Sequence, residues 1–175
     1  GLVSMGVKGA AEQEFVAFVR ERGDRLLRFA RLLILDRGEA EDALQVALLR
    51  LVKHWSRGVK APEAYVRATL VNIAKDGARR KHLVPVPVDT GLRDEAGGDH
   101  AEAFHAQARL DLLLSQLPPR QRTTVVLRVI EGCSEAETAQ LMRCSPGTVK
   151  SNLARGLAHL RKTATTSDSL EEAQQ

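Results

Sequence analysis

Between Leu117 and Arg161 the chain stops and restarts a helix at short intervals. That pattern leaves room only for small helices joined by tight turns. Pro118 and Pro119 break the chain ahead of an apolar run, Val125, Val126, Leu127, Val129 and Ile130. Glu131-Gly132 closes that helix, glycine being the usual left-handed stop. Ser134 stands three residues before Glu137, the spacing of a capping box, and opens a helix that reaches Leu141-Met142. A break follows at Arg143-Cys144-Ser145. Ser145 caps the next helix, with Pro146 in its first turn, where a missing N–H costs nothing. Val149, Leu153, Leu157 and Leu160 form its apolar stripe. Lys150, Ser151, Asn152 and Arg155 are expected on the opposite side. A short helix, a tight turn and a second helix with a polar, basic N-terminal half make the helix-turn-helix plan.

The chain has 175 residues, 43% hydrophobic, enough for one domain or two small ones. Aromatics are only 3%, and Leu, Val and Ala carry the apolar content, which favours helices over a β-sandwich. A net charge of +4 and a pI near 9.4 suit a polyanionic partner. From Thr138 to Ser167 there is no Asp or Glu, while Arg143, Lys150, Arg155, Arg161 and Lys162 are present. A charge run is most often a solvated face. This one overlaps the second helix of the motif, so DNA contact is expected.

Cys133 and Cys144 have no His or Cys at a spacing that completes a zinc site, so both read as small buried residues and no metal is expected. There is no Gly-rich phosphate loop, H-E-x-x-H or nucleophile elbow. His54, His82, His100, His105 and His159 are scattered and read as structural or solvated. No catalytic residue, enzyme activity or cofactor is expected. No stretch approaches the ~20 apolar residues of a membrane span, and no signal-peptide pattern is visible. The expectation is a cytoplasmic protein with no membrane insertion. Gly1–Ser4 precede Met5 and read as a cloning remnant.

Towards the N-terminus, Gln13–Leu35 is helical in pattern, interrupted at Gly23-Asp24, and Asp36-Arg37-Gly38 reads as a turn. The helix Glu39–Trp55 carries Ala40, Leu44, Leu48, Leu51 and Trp55 on one side, with Trp55 as a core anchor. Ser56–Ala61 is a short basic loop containing Arg57 and Lys60. Pro62 opens the next helix, with Val66, Leu70, Ile73 and Ala74 inward. Tyr65, Thr69, Asn72, Asp76 and Arg79 or Arg80 share another face. An amide there can read a base edge and the cations can hold phosphates. The plainer reading is a solvated face with cations favoured by the helix dipole. From His82 to His100, prolines and then Asp, Glu and Gly replace all periodicity, as in a linker. A helical pattern returns at Ala101–Gln116, and the tail after Lys162 is small and polar.

The segment SEAETAQLMRCSPGTVKSNLARGLAHLR resembles region four of the extracytoplasmic-function sigma factors, most like their actinobacterial SigE-type group. LPPRQR, VVLR, GTVKS and R-x-L-x-x-L-R carry the likeness. The resemblance implies that Arg143, Ser145, Gly147, Thr148, Lys150, Ser151, Asn152 and Arg155 meet the minus-thirty-five promoter element. Arg143 stands where the family usually has Gly, so a strained and slightly remodelled turn is expected. Asn152 stands where Arg or Lys is common, which alters the expected base preference.

DRGEAEDALQVALLRLVKHW resembles region 2.2 of the same family. This implies that Glu41, Asp42, Gln45, Val46 and Leu49 meet the clamp helices of the RNA polymerase β′ subunit. Val46 replaces the usual Glu. With Leu49 it forms either ordinary core or an apolar patch for the clamp or an inhibitory anti-sigma factor, and both readings stand. Y-V-R-x-x-L-V-N-x-A-x-D-x-x-R-R resembles region 2.4. It implies that Tyr65, Asn72, Asp76, Arg79 and Arg80 read the minus-ten element, with Arg57 and Lys60 beside a base flipped from the melted strand.

The implied fold is all-α, with helical domains at 11–82 and 104–163, a flexible linker at 83–103 and a disordered tail at 164–175. The implied function is a sigma factor that directs promoter recognition. Its implied partners are RNA polymerase core (β′ clamp helices and β flap), promoter DNA and an anti-sigma factor. The alternative is a stand-alone helix-turn-helix regulator, which explains the second domain but not the region-2-like helices.

Overall fold

The structure, a computed structural model, describes residues 9–81 and 100–173, and every element there is helical. The chain divides into two compact units, parting between Arg80 and Lys81.

The first unit contains α1 (Ala10–Leu33), α2 (Arg37–Trp55) and α3 (Pro62–Lys81). α1 runs unbroken through Gly23-Asp24, where the sequence suggested an interruption. One helical glycine costs only about 1 kcal/mol. The burial of Leu26, Phe29, Ala30, Leu32 and Leu33 just beyond it outweighs that. Asp36 is the N-cap of α2, its carboxylate accepting from the Glu39 amide at 2.9 Å. Arg37 and Gly38 therefore form the first helical turn instead of a separate turn.

α2 buries Ala40, Ala43, Leu44, Ala47, Leu48, Leu51 and Val52 and packs along α1. Trp55 anchors its end, as expected. The indole meets Phe15 edge-on at 5.3 Å and Phe18 at 5.7 Å. In α3 the core positions are Val66, Leu70 and Val71, while Ile73 and Ala74 are only half-buried. Glu63 ties the start of α3 to α1 through Arg22 (3.6 Å) and Arg25 (3.7 Å). The Arg67 guanidinium lies over the Phe29 ring at 4.8 Å.

The second unit contains α4 (His100–Ser115), α5 (Pro119–Val125), α6 (Glu135–Met142) and α7 (Pro146–Glu172). α4 begins inside the span read as linker; residues 83–99 of that span lie outside the described residues. Arg122 of the LPPRQR motif joins α5 to the end of α4. Its Nε donates to the Leu114 carbonyl at 2.9 Å and its Nη2 to the Leu117 carbonyl at 3.0 Å. Burial lowers its pKa from the usual arginine value. The carbonyl end of a helix is where a cation is best tolerated.

The apolar run after Val125 does not continue as one α-helix. It widens into a π-turn over Val126–Ile130, closed by the Glu131 amide on the Val126 carbonyl at 2.9 Å. The extra residue rotates the stripe. Val126 and Leu127 stay in the core, while Val129 and Ile130 are turned out, 58% and 39% exposed. Gly132 stops the segment at φ 67°, the left-handed conformation expected of it.

α7 approaches α5 closely at Gly156, where a Cβ would stand 3.0 Å from Val125 Cγ2. The helix then runs on to Glu172, so the span 164–172, expected to lack structure, is helical. No Gly or Pro follows Gly156 to stop it. The hydroxyls of Thr163, Thr165, Thr166 and Ser169 bond back to carbonyls one turn earlier. Cys133 and Cys144 are half-buried instead of fully enclosed.

Candidate nucleic-acid interface

The helix-turn-helix is α6, the turn Arg143–Ser145, and α7. Ser134 and Glu137 form the full capping box. Ser134 Oγ accepts from the Glu137 amide at 3.0 Å, and Glu137 Oε2 accepts from the Ser134 amide at 2.7 Å. Thr138, Ala139 and Met142 face the core, where the Thr124 hydroxyl donates to Met142 Sδ at 3.3 Å. These contacts fix where α6 ends and so where α7 can begin.

The turn closes as a Schellman motif. The Cys144 amide donates to the Ala139 carbonyl at 3.1 Å and the Arg143 amide to Gln140 at 3.3 Å. Arg143 takes the left-handed conformation (φ 52°, ψ 49°) that glycine would adopt at no steric cost. Both hydrogen bonds form, so the expected remodelling is absent and the strain stays in the Arg143 backbone. The Arg143 side chain is exposed. Ser145 caps α7 as expected, its Oγ accepting from the Thr148 amide at 3.1 Å and meeting Thr148 Oγ1 at 2.9 Å.

Gly147, Lys150, Ser151 and Arg155 lie exposed along the outer face of α7, and Thr148 is half-buried beside Ser145. The exposed Lys150 Nζ stands 3.9 Å from Oε1 of the half-buried Glu135, a weak pairing that an incoming phosphate can displace. Ala154 shares this face. Sequence reasoning passed over it because it is apolar, although it stands four residues after Lys150.

Asn152 is a correction. It was expected among the DNA contacts, but it is turned into the unit and only 9% exposed. Its position lies between Val149 and Gly156, the two residues of α7 that press hardest on the core. Among the described residues its Nδ2 has no hydrogen-bond partner.

In the first unit α2 presents Glu41, Asp42, Gln45 and Val46 outward, with Leu49 half-buried at the edge of the same face. Val46 is 39% exposed, which removes the core reading for that residue. Arg31 Nη2 holds Glu41 Oε1 at 3.2 Å.

The loop after α2 carries Arg57 and Lys60, both exposed. It reverses at Gly58, φ 77°, with the amides of Arg57 and Gly58 donating to His54 and Trp55 carbonyls, each at 3.1 Å. On α3, Tyr65 and Asn72 are half-buried and Asp76 is exposed. Thr69 leaves that face. It is 7% exposed and its hydroxyl donates to the Tyr65 carbonyl at 2.8 Å. The side chains of Arg79 and Arg80 lie outside the described residues. Sequence reasoning also missed His54, dismissed as scattered. Its ring meets that of Tyr65 at 5.8 Å.

Residues 18–83 match the Sigma-70 region 2 family and residues 107–160 match Sigma-70, region 4. The RNA polymerase sigma-E factor of Streptomyces avermitilis is 41% identical over 85% of this chain and 84% of its own length. The sigma-E factor of Streptomyces coelicolor is 40% identical over 85% of each. The fold is similar to that of the sigma factor RpoE from Bartonella quintana, crystallised with the anti-sigma factor NepR. That match has a TM-score of 0.64 and 20% identity, covering 87% of this chain and 98% of that one. With both regions matched in order and this identity across most of its length, the chain belongs to the sigma-70 family of RNA polymerase sigma factors, in its extracytoplasmic-function group.

Proposed function

We propose that this protein acts in the cytoplasm, binds RNA polymerase core through α2, and directs it to promoters by reading two DNA elements, one with each unit. The observation that carries this is the pairing, in one chain, of an exposed face without carboxylates on the first half of α7, Pro146 to Arg161, with an exposed acidic-apolar face on α2. A DNA-binding regulator acting alone leaves the second of these without a role.

In this reading the first half of α7 enters the major groove of the minus-thirty-five element. The groove is ~12 Å wide and admits one helix. Lys150, Ser151 and Arg155 approach base edges and phosphates, and the Ala154 methyl lies where a thymine methyl can meet it. The Gly147 amide and the Thr148 hydroxyl, at the helix N-terminus, face a phosphate, with Arg143 and Ser145 flanking it. Asn152 takes no part in groove contact because its side chain is enclosed.

The first unit holds the minus-ten element once the strands part. Asn72 and Asp76 offer polar groups to base edges, and Arg57, Lys60, Arg79 and Arg80 neutralise the backbone. Asp42, Gln45 and Val46 on α2 seat the polymerase clamp, and the β flap holds the second unit. The chain supplies recognition and no chemistry, so the bond-forming step belongs to the polymerase. An anti-sigma factor that covers Val46 and Leu49 would block seating on the clamp.

The test is transcription from a genomic fragment library by core polymerase, with and without the purified protein. New start sites that share paired upstream elements are expected only when it is added. Tight DNA binding by the protein alone, with no new starts and no polymerase association, would overturn the reading.

A further inference from the structure

We infer that Glu135 is a specificity-determining residue of the second unit: its carboxylate positions Lys150 for a base edge and penalises a complex in which that lysine is drawn away to a phosphate. The inference rests on the reading of α7 as the helix that enters the major groove. It adds to that reading a residue outside α7 and a way of telling one duplex from another.

Glu135 reaches α7 because the start of α6 is fixed. Ser134 and Glu137 close the capping box between them, and the Glu137 carboxylate is occupied by the Ser134 amide at 2.7 Å. Glu135 lies in the first helical turn, where the dipole favours a carboxylate, and its side chain takes no part in the cap. The Ser145 cap fixes where α7 begins, and Lys150, one turn in from Pro146, falls on the side of α6. Its Nζ stands 3.9 Å from Glu135 Oε1. From Cys133 to Ser167 the sequence holds no other acid than Glu135 and Glu137. With Glu137 tied into the cap, Glu135 is the acid of this stretch that meets the cationic face.

The two halves of the pair differ in freedom. The Glu135 side chain is 32% exposed and the Lys150 side chain 74%. The carboxylate is held by its surroundings, and the amine can turn. At 3.9 Å the contact is too long for a hydrogen bond. All three donors of the ammonium therefore remain available. A lysine directed by a fixed carboxylate can keep that partner and still donate to an acceptor in the groove.

Two kinds of duplex then bind differently. Where the groove offers a matching acceptor, such as guanine O6 or N7, Lys150 donates to it with Glu135 still beside it. Where only phosphate is on offer, the lysine swings to the backbone. The Glu135 carboxylate is then stranded against a polyanion, since the first helix of this motif crosses the DNA backbone. That stranded charge offsets the counterion release that Lys150 brings. Specificity is a difference between affinities, and a repulsive group that acts on the wrong partner raises it.

The experiment uses the full chain and two fluorescent duplexes of equal length. One carries the minus-thirty-five element shared by the start sites of the library transcription, and the other has that element scrambled. Affinities are measured over a range of salt concentrations. Glu135→Gln should bind the scrambled duplex more tightly, with a salt dependence steeper by about one counterion. The ratio of the two affinities should fall about two- to fivefold, the size of an exposed ion pair. In a Lys150→Ala background, Glu135→Gln should leave the ratio unchanged.

An unchanged or raised ratio in Glu135→Gln would overturn the role of Glu135 alone. So would an equal fall in the Lys150→Ala background, because the effect would then not pass through the lysine. Equal affinity of the unsubstituted chain for the two duplexes would overturn the reading of α7 as the groove helix, and the inference with it.

Discussion

In the first unit three long helices are held by what they bury. In the second, shorter helices are held by how they begin and end. α1 and α2 meet along Leu26, Phe29, Leu33, Leu44, Leu48 and Leu51, with Trp55 closing the far end. No single hydrogen bond sets that arrangement. Around α6 and the start of α7, by contrast, the path follows from a capping box, a Schellman turn, a serine cap and the missing side chain at Gly156. The difference fits the proposed tasks. A clamp-binding helix has to present a rigid outer face, and packing along its whole length gives that. A recognition helix has to leave its partner at a fixed angle, and the turn before it sets the angle.

The contrast can be broken by substitution, and the expected effects run from large to small. Leu51→Ala empties a fully buried position in α2. It should cost about 2–5 kcal/mol in urea unfolding, with amide protection lost across α1–α3. Gly156→Val puts branched carbons against Val125 and Gln121, where a bare Cβ is already 3.0 Å from the first. An overpacking cost of about 1–3 kcal/mol is expected in the same assay. Ser134→Ala removes one arm of the capping box and should cost about 1 kcal/mol, with faster amide exchange in the first turn of α6. A larger loss from Ser134→Ala than from Leu51→Ala would erase the distinction between the units.

The smallest effect has the opposite sign. Arg143→Gly removes a left-handed penalty of about 1–2 kcal/mol and adds a glycine entropy cost of about 0.5–1 kcal/mol. A net gain of about 0.5 kcal/mol is expected, read as a raised urea midpoint. A loss of stability would show that the Arg143 side chain, and not its backbone, holds the turn.

The same contrast explains what the sequence made legible. Caps and turns in the second unit could be read residue by residue, because Ser134, Glu137, Gly132, Ser145 and Pro146 each act on neighbours in the chain. What failed there was angular. The π-turn adds a residue, and the stripe that included Val129 and Ile130 swings out to solvent. Asn152 was assigned outward for its polarity, yet helix geometry puts it between Val149 and Gly156. Gly156, four residues on, was the available sign that this face is pressed against another helix.

In the first unit periodicity found the helices, while the resemblance to region 2.2 supplied Asp42 and Gln45 and left Val46 between core and surface; all three are exposed. Periodicity could not find the meeting of His54 with Tyr65, which depends on how a six-residue loop closes. It also sent Thr69 to the wrong face, because a hydroxyl that bonds to its own helix carries no need for solvent.

The measurement that bears most directly on the division of labour is a paired assay on two variants. Asp42→Arg reverses a charge on the outer face of α2. Lys150→Ala combined with Arg155→Ala strips the outer face of α7. For each, retention by immobilised core polymerase and run-off transcription from a responsive promoter are measured. The account predicts that Asp42→Arg loses the polymerase and, with it, transcription. The double variant should keep the polymerase and lose transcription by at least about tenfold, since each base or phosphate contact is worth about 1–3 kcal/mol. Full polymerase retention and transcription by Asp42→Arg, or undiminished transcription by the double variant, would contradict it.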